Sequence, residues 1–266
     1  MRPPKCQRTS FPRKREPSDL KEVRNRLDVE LVRRGLAPSR QKAQALILAG
    51  QVRVDGRRAE KAGEPVKEGA GIEVIEGLPY VSRGGLKLKA ALDNFNISVS
   101  GLVCADIGAS TGGFTDCLLK EGAGKVYAVD VGYGLIDQRL REDPRVIVME
   151  RVNFRHAGAG FMGEPVDFAS VDVSFISLKL ILPSISLNLR PGGQVVALVK
   201  PQFEVGRENV GKGGIVKDEG ARERAAREIC EFAESLGFEL SGRMESPIKG
   251  AKGNIEYLLY LRRGAA

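Results

Sequence analysis

The sequence contains no tryptophan, one histidine and four cysteines in 266 residues. A single histidine, His156, cannot build a His-centred metal site or an ordinary Ser-His-Asp triad. Cys6, Cys104, Cys117 and Cys230 are scattered, with no C-x-x-C pair and no metal-ligand spacing, so no metal is expected. Reduced thiols fit a cytoplasmic protein. No apolar run approaches the roughly 20 residues of a membrane helix. The opening Met1-Arg-Pro-Pro-Lys-Cys6 lacks the apolar stretch of a secretory signal. No membrane partner is therefore expected, and the expected location is cytoplasmic.

What the chain has in excess is positive charge. It carries a formal +8 and a pI near 9.4, which suits an anionic partner such as nucleic acid. Its length suits one or two domains. Residues 1–21 hold four prolines among many charges and read as a disordered basic tail.

The stretch around which the rest is organised is Val103-Cys-Ala-Asp-Ile-Gly-Ala-Ser-Thr-Gly-Gly-Phe114. A short apolar strand leads into a glycine turn, and Phe114–Leu119 begins a helix. That is the ligand-binding corner of a doubly wound sheet, where glycines let backbone approach a ligand. A second apolar run, Lys125-Val-Tyr-Ala-Val-Asp130, ends in an acid 24 residues after Asp106. An acid there accepts hydrogen bonds from the ribose hydroxyls of a nucleoside cofactor. The glycine pattern is not the G-x-G-x-x-G of dinucleotide sites. It resembles motif I of S-adenosylmethionine methyltransferases, which implies cofactor contacts at Asp106, Gly108, Ser110, Thr111, Gly112, Gly113, Phe114 and Asp130. Asn153, after the strand Val146–Met149, is a further candidate near the adenine or ribose.

Residues 22–78 are a separate patterned unit. Val23–Gly35 reads as an amphipathic helix stopped by glycine. Ser39–Gly50 reads as a second, with Ser39 as N-cap and Gly50 as its stop. Gln51-Val-Arg-Val-Asp-Gly then reads as half a hairpin, and Gly71–Ile75 alternates as its pairing partner. The string R-L-D-x-x-L-V-x-R-G-L-x-x-S-R-x-x-A-x-x-L-I-x-x-G-x-V-x-V-D-G resembles the S-four RNA-binding domain, named after a small-subunit ribosomal protein. The resemblance and the clustered charge make Arg26, Arg33, Arg40, Lys42 and Arg53 the expected phosphate contacts.

Residues 79–82 are expected to be a linker, and 83–266 a methyltransferase domain. Arg83–Phe95 reads as a helix with Leu86, Ala90 and Leu92 or Phe95 inward. Lys87 and Lys89 lie on different faces, so only one reaches a site. Beyond motif I, strands alternate with helices: Val146–Met149, Val166–Val173, Gln194–Val199, Phe238–Arg243 and Asn254–Leu261 as strands, with helices at Leu178–Leu189 and Ala221–Leu236. The expected fold is α/β, a Rossmann-like class I methyltransferase with a seven-stranded, mostly parallel sheet, preceded by a small α+β domain. The glycine-rich loop Phe203–Lys217 is expected to order over substrate.

Asp172, Lys200 and Glu256 each interrupt an apolar strand or its border. Such residues sit where open parallel sheets bind ligands, or else they form buried ion pairs. Lys87, Asp172, Lys200 and Glu256 together resemble the Lys-Asp-Lys-Glu set of FtsJ-class ribose 2′-O-methyltransferases. From about residue 22 the chain resembles the TlyA family, bacterial rRNA 2′-O-methyltransferases often labelled haemolysins. The resemblance implies catalysis by that set, S-adenosylmethionine as cofactor, Asp172 also at the cofactor, and cytidine in 16S and/or 23S rRNA within ribosomal subunits as substrate. Lys200 is left as either base or orienting cation. The oligomeric state stays open.

Three alternatives stand beside this. S-four pseudouridine synthases use an aspartate in Arg-Leu-Asp, but the sole such string here, Arg26-Leu-Asp28, lies inside the S-four unit. A pore-forming haemolysin finds no support in the apolar pattern. A ribosome-associated RNA-binding protein without catalysis conflicts with the intact set of four.

Overall fold

The computed structural model describes residues 24–48, 51–75 and 79–264. The basic tail expected at 1–21, the helix start at Val23 and the stop at Gly50 lie outside these residues. The chain divides into two compact units, residues 1–77 and 78–266.

In the first unit the expected helix from Val23 is shorter. Arg24–Arg26 is a strand, β1, and helix α1 begins at Leu27 and ends at Arg33. The reason is pairing: β1 lies antiparallel to β4, Pro65–Lys67, so its backbone bonds go sideways. Gly35 follows the helix at φ +70°, as a left-handed stop requires. Ser39 Oγ accepts the Lys42 N–H at 3.2 Å and caps α2, Arg40–Leu48. Strand β2, Val52–Val54, turns at Asp55 and Gly56 into β3, Arg57–Arg58. Both turn residues have positive φ, the two-residue hairpin form. Strand β5, Ile72–Val74, pairs with the other edge of β2. Leu27, Leu31, Ala43, Ile47, Val52 and Val54 close the core.

The second unit is built on one seven-stranded sheet. Its strands are β6 Val103–Ile107, β7 Lys125–Val129, β8 Val146–Met149, β9 Val166–Val171, β10 Leu189–Val199, β11 Phe238–Glu245 and β12 Tyr257–Arg263, in the order β11-β12-β10-β9-β6-β7-β8. The pairs from β10 to β8 are parallel, and β12 is antiparallel to both neighbours. This is the expected mostly parallel α/β sheet. Alternate residues of each central strand feed opposite cores. Ala105 and Ile107 join Leu182 and Ile185 of α6, Leu182–Asn188, with Ile229 of α8, Glu219–Ser235. Cys104 joins Leu88 of α3, Gly84–Asn94, Leu118 of α4, Gly113–Lys120, and Leu140 of α5, Gln138–Arg141.

Several expectations shift: the helix expected over Leu178–Leu189 is a single 3-10 turn, Leu178–Leu180, followed by α6, and the strand expected from Asn254 begins at Tyr257. The inward face of α3 is Leu88, Ala91 and Leu92, while Leu86 and Ala90 are half-buried. The stripe is rotated because Lys87 itself turns inward to an acid. Residues 79–82 are not a free linker. Tyr80 is buried, Val81 N–H donates to Asp116 Oδ2 at 2.9 Å, and Lys120 Nζ donates to the Pro79 carbonyl. A Cβ on Gly85 would stand 2.3 Å from the Tyr80 ring, so glycine there makes room for it. Finally, the expected loop from Phe203 starts later, because Pro201–Glu204 forms one short helix, α7, directly after Lys200.

Candidate active site

From β6 the chain winds outward through β7 and β8, then returns to β9 on the other side of β6. The carboxyl ends of β6 and β9 therefore bracket the switch point where such sheets bind ligands. Two cavities of about 340 Å³ open there and share Gly108, Ser110, Asp172 and Ser174 in their walls.

The glycine turn is shaped by close approach. Gly108 sits at φ +86°, and a Cβ on it would fall 2.6 Å from the Asp172 carbonyl oxygen. Its N–H and that of Ala109 donate to the Val129 carbonyl. Asp130 Oδ2 accepts the Ser110 N–H at 2.8 Å and Oδ1 accepts the Gly132 N–H at 2.7 Å. Each carboxylate oxygen keeps acceptor capacity after one bond. Asp130 and Asn153 line the second cavity, whose remaining wall is largely apolar, with Val131, Leu135, Phe154 and Ile176. An apolar slot with Asp130 at its edge, and Asp172 in the wall it shares with the first cavity, fits an adenosine. Thr111, Gly113 and Phe114 line the first cavity.

Two motif residues do not reach either cavity. Asp106 is 0% exposed. Its Oδ2 accepts the Thr115 N–H at 2.8 Å and the Thr115 hydroxyl at 2.7 Å, and it thereby ties β6 to the first turn of α4. Burial, helped by the charge of Asp172 and opposed by the Thr115 bonds, pushes its carboxyl up to about 7. Gly112 turns the other way, at φ +92° against Leu140 and Ile136. Both hold the turn; neither lines the space beside it.

Lys87 of α3 and the three residues singled out at strand borders form two ion pairs. Lys87 Nζ donates to Glu256 Oε2 at 2.6 Å, with the residues 8% and 2% exposed. Lys200 Nζ lies 2.6 Å from Asp172 Oδ1 and donates to Ser174 Oγ at 2.8 Å. Lys87, Asp172 and Lys200 line the first cavity, with Glu256 behind Lys87. Lys89 instead pairs with Asp93 and Glu121 at the surface. A Cβ on Gly250 would land 1.8 Å from Glu256 Oε1, so that glycine leaves the space the carboxylate occupies. His156 is exposed and outside both cavities. Among the described residues no cluster of histidine, cysteine or acid is suited to a metal, and no helix is long and apolar enough to cross a membrane.

Sequence reasoning missed Arg83, Ser174 and Lys249 in the first cavity wall. Ser174 had a signal: Ser170, Asp172 and Ser174 alternate, which puts all three on one side of an extended chain. Arg83 and Lys249 have no acidic partner among the described residues, whereas Lys87 and Lys200 do. The cavity mouth thus carries uncompensated positive charge.

In the first unit the expected RNA contacts fall into two groups. Arg26 and Arg40 both hold Asp28, with Gln44 as a third donor. Arg33 and Arg34 hold Glu30 at 2.6 Å each. Both acids are fully buried. The arginine bonds hold Glu30 down to about 2 and Asp28 well below the usual carboxylate range. The side chains of Arg26, Arg33 and Arg40 remain about half exposed. Lys42 and Arg53 are exposed.

Residues 80–263 match the FtsJ-like methyltransferase family and residues 25–72 match the S4 domain. The YqxC protein of Bacillus subtilis is 51% identical over 241 residues, covering 90% of this chain and 85% of that protein. The Mycobacterium tuberculosis protein named 16S/23S rRNA (cytidine-2′-O)-methyltransferase TlyA is 47% identical, covering 90% of each. A solved structure from Streptococcus thermophilus superposes with a TM-score of 0.71 at 47% identity, over 91% of this chain and 90% of that one. With its motifs, its sheet order and these similarities together, the chain belongs to the TlyA family of rRNA methyltransferases, in which an S4 domain precedes an FtsJ-like methyltransferase domain.

Proposed function

We propose that the protein methylates the ribose 2′-hydroxyl of cytidine in rRNA, in 16S and/or 23S RNA, with S-adenosylmethionine as donor and Lys87, Asp172, Lys200 and Glu256 as the catalytic set. The observation that carries this reading is the shared wall of the two cavities. One is apolar with Asp130 at its edge, the other holds Lys87, Asp172 and Lys200, and they meet at Gly108, Ser110, Asp172 and Ser174.

The residues fit the cofactor. Gly108 leaves room beside the Asp172 backbone, Asp130 keeps acceptor capacity for ribose hydroxyls, and the apolar wall suits an adenine. When bound, S-adenosylmethionine supplies an electrophilic methyl on a sulfonium. The protein's part is then to align a ribose oxygen with that methyl. An ammonium has three donors; Lys200 gives one to Ser174 and lies 2.6 Å from Asp172 Oδ1 as an ion pair without a hydrogen bond. A donor is left for the attacking 2′-oxygen. This favours an orienting cation over a base: the ammonium stabilises negative charge on the oxygen, and the hydroxyl proton leaves to water at the open mouth. Asp172 fixes Lys200, and Glu256 fixes Lys87. Arg83 and Lys249 supply positive charge where the phosphates flanking a target ribose must lie.

The test is incubation with methyl-labelled S-adenosylmethionine and separated 30S and 50S subunits, followed by nuclease mapping. Label on a cytidine ribose supports the proposal. Label on a base, or none in either subunit, overturns it.

A further inference from the structure

The segments carrying Asp172 and Lys200 are fastened together at three levels. At the site, Lys200 Nζ meets Asp172 at 2.6 Å and donates to Ser174 Oγ at 2.8 Å. One step further out, the rings of Phe175 and Phe203 stack at a tilt with centroids 5.1 Å apart. Behind them, the Glu204 carboxylate accepts the Ser177 hydroxyl at 2.5 Å and the Leu178 N–H at 2.9 Å. Phe175 holds φ +64°, a left-handed conformation rarely adopted by an aromatic residue. The residue is 90% exposed, so this left-handed turn directly after Ser174 is set by the backbone and not by packing around the side chain.

Carboxylate and hydroxyl do different jobs for an ammonium. Asp172 compensates the charge but reaches Nζ from one direction only. A lysine side chain ending in one such contact still turns about its last bond, because the ammonium is a compact point charge with rotatable donors. An acceptor in hydrogen-bond geometry fixes that rotation. Ser174 is this acceptor, at 2.8 Å, whereas Asp172 Oδ1 pairs with the charge without a hydrogen bond. It also stands in the wall common to both cavities, beside the point where ribose oxygen and methyl would meet.

We propose that Ser174 is a positioning residue that aims the Lys200 ammonium at the attacking ribose oxygen. The inference rests on the reading of Lys200 given above. Because Glu204 holds the far end of the segment at the Ser177 hydroxyl and the Leu178 N–H, loss of the Ser174 hydroxyl leaves the fold and both cavities in place and frees only the lysine tip.

The experiment compares full-length wild type, Ser174→Ala, Ser174→Thr and Lys200→Ala. Single-turnover methylation of subunits, calorimetric affinity for S-adenosylhomocysteine and thermal midpoint are measured for each. Ser174→Ala is expected to lower the single-turnover rate by about 10- to 100-fold, the span of one hydrogen bond to a charged group. Product affinity and midpoint should match wild type. Ser174→Thr, which keeps the hydroxyl, should recover most of the rate. If Ser174→Ala stays within threefold of wild type while Lys200→Ala loses most turnover, the role given to Ser174 is wrong and that of Lys200 stands. If Lys200→Ala is itself near wild type, the premise fails and the inference with it. A rate loss in Ser174→Ala that tracks a lower midpoint, without recovery in Ser174→Thr, shows a purely structural role and also overturns it.

Discussion

Lys87 and Glu256 stand 169 positions apart in sequence, yet their charged atoms meet at 2.6 Å, and both residues are buried. Two charges taken out of water must stabilise each other, and removing one strands the other. Glu256→Gln and Lys87→Met should therefore each destabilise the methyltransferase unit by about 3–5 kcal/mol. The double variant should be less destabilised than the sum of the two, by at least about 1 kcal/mol. Urea unfolding of the four proteins checks this. Strict additivity would show that the pair is not coupled.

Asp130 organises the turn as well as facing the cofactor slot, since its two oxygens hold Ser110 and Gly132. Asp130→Ala should weaken S-adenosylmethionine binding by about 1.5–3 kcal/mol, the scale of hydrogen bonds to a charged group. Calorimetric titration reads it, and an unchanged affinity would remove Asp130 from the cofactor site.

Asp106 should make stability depend on pH. Its folded-state carboxyl is raised to about 7, chiefly by burial. Below about pH 4 both folded and unfolded chains carry the proton, and the group contributes nothing. Between about 4 and 7 the folded state holds a proton that the unfolded state has lost, so stability falls as pH rises. Asp106→Asn keeps an oxygen for the two Thr115 donors and carries no charge. Its stability relative to wild type should therefore grow by about 2–3 kcal/mol between pH 5 and pH 8. Urea midpoints at the two pH values test this; an equal gap at both would show that Asp106 does not titrate in that window.

Much of this site was legible in the sequence, for reasons that particular residues make clear. Asp172 and Lys200 are charged residues directly after the apolar strands β9 and β10, and the α/β alternation puts such residues at the sheet's carboxyl edge. Helical spacing put Lys87 and Lys89 on different faces, and the resemblance, not the spacing, chose Lys87; the inward stripe of α3 was misplaced because a lysine belongs to it. Asp106 was not legible as a structural residue. Motif I places an acid there, and nothing in its spacing tells whether its oxygens face a ligand or, as here, Thr115 nine residues on. The clamps on Glu30 were available as i,i+3 and i,i+4 spacings to Arg33 and Arg34. Those on Asp28 were not, since Arg40 and Gln44 reach it across a turn between helices. The strand β1 was hidden because three residues are too few to show alternation.

The two units should divide the work between chemistry and RNA capture. Every residue of the two cavities lies in residues 82–250, and the described residues of both cores of the second unit all lie from Tyr80 onward. A chain of residues 78–266 should therefore fold and bind S-adenosylhomocysteine with near-normal affinity. It must begin before Tyr80, because that ring fills the space above Gly85 and Val81 bonds to Asp116. A start at Val81 should lower the thermal midpoint. The 78–266 chain should fail to methylate ribosomal subunits, because phosphate contacts supply much of the affinity for structured RNA and the exposed basic residues of the first unit are gone. Residues 1–77 alone should bind rRNA without catalysis. Each substitution that removes a phosphate-binding charge, such as Arg53→Gln, should reduce the slope of log K against log salt by roughly 0.7–0.9. Arg26→Gln should cost more than that slope change, because it also strips a bidentate partner from the buried Asp28. A folded 78–266 chain that methylates subunits at the full-length rate would show that the first unit is not the RNA-recruiting module.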